Sequence, residues 1–402
     1  MKIYRVATGR TIAPFGDLAR DLFIGTQTLA AWHEAAAQAT GLELVDVDDW
    51  SEVVAPAYAF ADDVWFTEMV LRHFVADTMK AKTSSRLALD KSLVTELCEP
   101  LQDAHVDGDR VGFDVFFCAA DPEQLEGAPM HVVKAREMKS EIRLPPSAIA
   151  GEGRSRDRAV PLTARVVANV RHWIHLLKLS QLSIGVSIID ALRREPRLML
   201  KLRLMRNKDP WELGPHLRFV HPTARVHPTA HIESSVVGPN VVIEAHAHVH
   251  RSVIGANVRL GDHAAVMGCT LADGVQVLRG SYLAHCVSMP DATLASYKVQ
   301  LSLFGREVFL TSSAWLIDAK LVGEVAVKSD AGLVPVGPFL GCCLGHRVTL
   351  GAQVAIQAGR AVPNGLTIVG PPEHFLSHVE ALPEGTVLAV RGGRAEPIGG
   401  GG

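Results

Sequence analysis

Eighteen histidines occur in this 402-residue chain, and two of them stand where an imidazole could act as a base. His285 and His346 each follow an aliphatic residue by two places, in Leu283-Ala284-His285-Cys286 and Leu344-Gly345-His346-Arg347. A neutral imidazole can take the proton from an attacking hydroxyl or amine. A nearby backbone N–H can then stabilise the oxyanion. The next residues, Cys286 and Arg347, offer no carboxylate to orient the ring, so a structural role stays open for both. A second group lies near the N-terminus. Gly9-Arg10-Thr11 and Arg20 bring basic side chains there, but a phosphate cradle needs several backbone N–H groups turned to one point, and a loop with one glycine offers few. Two acidic pairs could hold Mg²⁺. Asp62-Asp63 also reads as the charged start of a helix, and Asp107-Gly108-Asp109 as a hairpin turn. Both pairs are taken structurally. No three ligands share a metal spacing, so no metal site is expected. His246, His248 and His250 lack a common face unless neighbouring segments contribute.

Residues 220–294 must position the first histidine. Aliphatics recur there at Val220, Val226, Ile232, Val237, Ile243, Val249, Ile254, Leu260, Val266, Leu271, Val277, Leu283 and Met289. Most steps are six residues. Steps of five into Val237, Ile254 and Leu271 group them into seventeen-residue coils, as in Ile232→Val249→Val266. No α-helix repeats at six, so the pattern means stacked units too small to bury their apolar faces alone. The rhythm resumes at Leu344, Leu350, Ile356, Val362 and Ile368, over 344–373. Between the runs, about 295–340 reads as an insertion of short strands. The remaining histidines of the repeat fall at surface or corner places.

The first 205 residues read differently. Ile3–Ala7 is strand-like. A helix from Thr28 to Thr40 is stopped by Gly41, and Leu42–Val47 is a second strand, so the opening is a βαβ unit with a parallel sheet. Asp62-Asp63 opens another helix. Residues 147–160 form an exposed loop. After Pro161 a helix runs to about Ser183, ended or kinked by Gly185, with Val166, Val170, Trp173, Ile174 and Leu177 buried. A basic connector spans about 193–215. Over 193–208 it carries Arg193, Arg194, Arg197, Lys201, Arg203, Arg206 and Lys208 against Glu195, with leucines interleaved. Such a stretch can touch a membrane surface or an acidic carrier protein. The reading favoured here is a connector whose leucines pack under the first coil. Apolar content of 48% and a net charge of −3 describe an ordinary soluble chain. Six scattered cysteines without CxxC spacing suggest a reducing compartment. No signal peptide or transmembrane segment is read, so the expectation is cytoplasmic. No nucleic-acid motif is present.

The hexads resemble those of the left-handed parallel β-helix. The run Val220-His-Pro-Thr-Ala-Arg-Val226-His-Pro-Thr-Ala-His-Ile232 resembles the opening coil of lipid A-type acyltransferases. Weakly, the N-terminus resembles sugar-phosphate nucleotidyltransferases. Gly9-Arg10-Thr11 stands where their glycine-rich loop would be, with one glycine, and Arg20 stands where they carry a lysine. The resemblance implies a fold of α/β plus all-β class: a degenerate nucleotidyltransferase-like domain over 1–205, then a left-handed β-helix with an insertion over 216–402. It implies a transferase acting on a sugar phosphate or nucleotide sugar. Acyl transfer would use His285 or His346 as base and acyl-CoA or acyl-carrier protein as donor. Gly9, Arg10 and Arg20 would hold phosphate, and Mg²⁺ would be needed only if the first domain is active. A homotrimer is expected. The alternative is a non-catalytic trimeric scaffold or regulator.

Overall fold

The computed structural model describes all residues except 121–124, 126, 144–156, 206–212, 321, 372–385, 387, 392–393 and 398–402. The exposed loop read at 147–160 therefore lies outside the described residues as far as 156; from Asp157 it is instead a strand, Asp157–Leu162, paired antiparallel with Met138–Arg143. From Arg218 onward the hexads wind as a parallel β-helix. One eight-stranded sheet runs from Arg218–Val220 to Ala361–Val362, a second from Arg225–Val226 to Thr367–Ile368, and a five-stranded third from His231–Glu233 to Val299–Gln300. Equivalent residues pair coil to coil: Ile232 with Val249, Val249 with Val266, Val266 with Leu283. These aliphatics form one continuous buried core. Two-residue strands cannot persist alone, so each coil depends on its neighbours. The corners turn through left-handed backbone at Asn240, His246, Asn257 and His263. Short polar side chains tolerate that conformation.

One inner edge carries a ladder that the hexad pattern hides. The Ser235 hydroxyl accepts the Ser252 N–H, Ser252 accepts that of Cys269, and the Cys269 sulfur accepts that of Cys286. Farther along, Ser302 accepts the Cys342 N–H. These small buried groups satisfy backbone donors that a wider side chain would block. Three of the six cysteines are thereby accounted for structurally. All six are buried free thiols.

The insertion is narrower than 295–340. Val299–Gln300, Leu303–Phe304 and Phe309–Leu310 belong to the stacked sheets. The six-residue rhythm slips because the coil shortens: Leu283 pairs with Val299, sixteen residues on instead of seventeen. Trp315–Leu316 also stacks, on Ala355–Ile356. The true excursion is the antiparallel hairpin Val325–Ser329 with Gly332–Gly337.

The N-terminal region holds a mixed seven-stranded sheet. Lys2–Val6 lies parallel to both Glu43–Val47 and Ala57–Ala61. Helix α1, Leu29–Thr40, joins the first two strands, with the Thr28 side chain accepting the Ala31 N–H and Gly41 left-handed at its end. The βαβ opening is as expected. Asp107-Gly108-Asp109 is the expected hairpin, with Asp107 paired to Arg110. Helix α2, Glu68–Thr78, starts later than expected, because Val64–Phe66 is a strand paired with Val167–Asn169. So the region after Pro161 is also strand before it is helix. After the short α3, Leu93–Cys98, helix α4 runs Trp173–Arg193 straight through Gly185. Its start is fixed by the His172 side chain, which accepts the Ile174 N–H, and by His175, whose Nδ1 accepts the Arg171 and His172 N–H groups.

Helix α4 lies along the first sheet of the β-helix. Leu176, Leu177, Leu179 and Val186 share one buried core with Ile12, Leu22 and Ile24, with Val287 and Leu303 of the column and with Val325 of the hairpin. It is long and apolar enough to span a bilayer, but its apolar face is already occupied by the protein. Helix α5, Pro196–Leu204, follows. Its leucines do not pack under the first coil: no α5 residue is buried, and Leu200 and Leu204 are exposed.

Candidate functional site

Strands Lys2–Val6 and Ala57–Ala61 end level, Val6 opposite Ala61. The next residues, Thr8-Gly9-Arg10 and Asp62-Asp63, therefore meet outside the carboxyl ends of parallel strands. In open α/β sheets that is where ligands bind. Asp62 accepts the Thr8 N–H at 3.0 Å and the Thr8 hydroxyl at 2.6 Å. The Arg20 guanidinium stands 3.7 Å from its other oxygen. Asp63 takes Arg10 Nε at 2.8 Å and Arg171 Nη1 at 2.6 Å on one oxygen. Arg171 continues to Asp114 at 3.2 Å, and Arg86 reaches Asp114 at 4.0 Å. Four guanidinium groups thus interlock with three carboxylates.

Both aspartates are buried, which corrects the helix-start reading: they tie the first loop to the sheet edge. Burial pushes the Asp63 carboxyl up, and Arg171 and then Arg10 pull it back. Its Oδ1 has no hydrogen-bond partner. Gly9 is left-handed, and a side chain there would meet open space. The Arg10 and Arg20 side chains keep 40% and 31% of their exposure, so they are the cations a ligand could reach. Gly9, Arg10 and Arg20 are brought together, as the sequence suggested. Asp114 and Arg171 were missed. They come from a strand interior and from the residue before the α4 cap, and no local motif marks them.

Mg²⁺ fits this site poorly. A dication at Asp62 and Asp63 would face Arg10 and Arg171 at contact distance, and each carboxylate already has cationic or hydroxyl partners.

The two histidines lie elsewhere, at opposite ends of the strands of one sheet. His346 is 3% exposed. Its Nδ1 accepts the Arg306 N–H at 2.9 Å, so Nε2 carries the proton and donates to Asp17 at 3.2 Å. Phe15 packs against the ring at 4.9 Å. Asn364 accepts the His346 N–H and donates to the Phe15 carbonyl. Arg306 pairs with Asp17 at 2.7 Å. Burial and then Arg306 lower the His346 pKa, against Asp17. This imidazole is neutral, but its one basic nitrogen is occupied. It joins the loop Ile12–Leu22 to the β-helix and has no free position from which to abstract a proton.

His285 sits at a left-handed corner with its ring against Gly268. Its carbonyl accepts Gln181 Nε2 from α4 at 2.8 Å. Burial lowers its pKa first, then Arg251 and His250. Among the described residues none hydrogen-bonds its ring.

With this geometry in hand, the decisive comparison concerns the column. Residues 215–335 match the family model described as the GMPPB C-terminal domain. The column is thus similar to a GMPPB C-terminal domain over that stretch. The stacked parallel sheets of this chain fit a left-handed β-helix of hexapeptide repeats over the matched stretch. The match does not extend to the α/β region ahead of it. No curated protein matches the chain.

Proposed function

We propose that this protein binds a sugar phosphate or nucleotide sugar at the mouth formed by Gly9, Arg10, Arg20, Asp62, Asp63 and Arg171. One observation carries the reading: two partly exposed guanidinium groups flank an open left-handed glycine at the carboxyl ends of parallel strands. Arg10 and Arg20 take the phosphate oxygens, each swinging from its aspartate while Arg171 keeps Asp63 neutralised. The GMPPB-type column supports the ligand class. Metal-dependent nucleotidyl transfer is not part of the proposal, because the carboxylates are committed to arginines.

The test is calorimetric titration of the chain with nucleotide sugars, sugar phosphates and nucleoside triphosphates, with and without Mg²⁺. Binding that is lost on Arg10→Ala plus Arg20→Ala, and indifferent to Mg²⁺, supports the reading. Silence across all of them points to the scaffold.

A second reading keeps acyl transfer from acyl-CoA or acyl-carrier protein, with His285 as base. It is favoured by one fact: of the two candidate histidines, His285 is the one whose ring no described residue hydrogen-bonds. It needs a groove between copies of the chain in a trimer. A mass-spectrometric screen of acyl donors against nucleotide sugars, repeated with His285→Ala, decides it: no acylated product, or product undiminished in the variant, ends it.

A further inference from the structure

Helix α5 is the one described helix of eight residues or more with no buried residue. It packs on α4. Successive residues of a helix turn by about 100°, so Leu200 and Leu204 share one stripe. Leu200 is 59% exposed and Leu204 76%. Arg203 flanks that stripe on one side, and Arg197 and Lys201 flank it on the other; all three are exposed. Leu198 and Leu202, half-buried, fall on the far side of the helix. Just ahead, Arg193 and Arg194 are exposed at the end of α4. The nearby acids are Asp190, paired with Arg193 at 3.0 Å, and Glu195. The outward face is thus an apolar line between rows of cations.

A connector that only linked domains would gain nothing by holding leucines in water. Long basic side chains beside an apolar stripe can lay their stems along the acyl boundary and keep their charges among phosphates. Anionic headgroups complement the charge, and each Lys or Arg near such a surface adds attraction that salt weakens.

We propose that the outward face of α5 docks this protein on an anionic phospholipid surface, with Leu200 and Leu204 inserted at the headgroup boundary and Arg197, Lys201 and Arg203 on lipid phosphates. The chain is held at the surface reversibly, since two leucines and a few charges make a modest anchor. The proposal does not depend on the ligand assigned to the N-terminal mouth.

The full chain is sedimented with vesicles of phosphatidylcholine alone, and with vesicles containing about a third phosphatidylglycerol. Binding is expected to the second only, and to fall as salt rises. Leu200→Gln with Leu204→Gln, and separately Lys201→Gln with Arg203→Gln, should each weaken binding roughly tenfold. These side chains are exposed, so circular dichroism should find both variants folded as the parent. Equal binding to both vesicle types, or binding unchanged in either pair, overturns the proposal. So does the absence of vesicle binding together with capture of an acidic carrier protein. A change of oligomeric state in the leucine variant, measured by light scattering, overturns it too and makes the stripe a contact between copies.

Discussion

In the β-helix, Val249, Val266 and Leu283 do the same job one coil apart. At the N-terminal mouth Thr8, Arg10, Arg20, Asp62, Asp63, Asp114 and Arg171 each do something that no neighbour repeats. The column is redundant and apolar, and the mouth is singular and charged. The contrast teaches where each region is vulnerable. A coil that loses one aliphatic still has coils above and below. A carboxylate that loses its guanidinium is left in low dielectric with nothing to replace it.

Acid should separate the two regions most. His33 and His175 lie in the N-terminal region, both buried, and burial holds each pKa down to about 3 from 6.5. The folded protein keeps them neutral while the unfolded chain takes up protons below about 6.5. Their stabilisation is complete above pH 6.5 and is lost as pH falls toward 3. Between pH 7 and pH 4.5 the two together should remove roughly 5 kcal/mol. Thermal melts at both values should show the N-terminal region unfolding first in acid. His175→Gln should flatten that pH slope even where it lowers stability at neutral pH. A slope unchanged by the substitution would assign the acid sensitivity to other groups.

Next comes the mouth itself. Asp63→Ala leaves Arg10 and Arg171 without their shared carboxylate, and the Arg171 side chain is only 11% exposed. Breaking a buried pair from one side costs about 3–5 kcal/mol. Urea denaturation at pH 7 measures it. If the loss is below about 1 kcal/mol, as for surface pairs, the mouth is wetter than its burial implies.

Within the column, Leu271→Ala removes a fully buried side chain from the middle of the stack. A cost of about 2–5 kcal/mol follows from the cavity. Val226→Ala, half-buried in the first coil, should cost about 1 kcal/mol or less. Equal costs would mean that the first coil is as constrained as the middle, against the stacking argument.

This contrast also explains what could be read in advance. A period of six survives translation along the chain, so the β-helix is legible from Val220 to Leu283 with its first three five-residue steps. The next step is also five, so Ser288 pairs with Leu271 and Met289 faces the core shared with α4 instead of the column's axis. The sixteen-residue coil at Val299 broke the rhythm by one residue, and the insertion was drawn too wide. The Ser235–Ser252–Cys269–Cys286 edge has the same seventeen-residue spacing as the aliphatics, and a search for polar repeats would have found it. At the mouth, Gly9, Arg10 and Arg20 were legible because they are close in sequence. Asp114 and Arg171 were not, because only sheet topology brings them to Asp63. Asp62-Asp63 was misread because Val64–Phe66 is a strand whose partner, Val167–Asn169, is distant in sequence.

The smallest effect should fall where the two regions touch. The loop Ile12–Leu22 follows Arg10 and carries Arg20, and it is fastened to the column by Asp17, His346, Arg306 and Asn364. Asp17 and Arg306 are partly exposed, so solvent screens much of their attraction. Asp17→Ala should therefore cost only about 1 kcal/mol of stability. Its larger consequence is local. Hydrogen exchange over 10–22 should speed up while exchange in the coils around Leu271 stays as it was. Two substitutions at 346 divide the contact. His346→Gln can still offer an amide donor toward Asp17, and should stay near the parent. His346→Asn keeps an acceptor for the Arg306 N–H but falls short of Asp17, and should match Asp17→Ala. The double variant of Asp17→Ala and His346→Asn should be no worse than either alone, since both remove one shared interaction. If the two effects add instead, the loop is held by independent contacts. The column would then support the mouth without setting its shape.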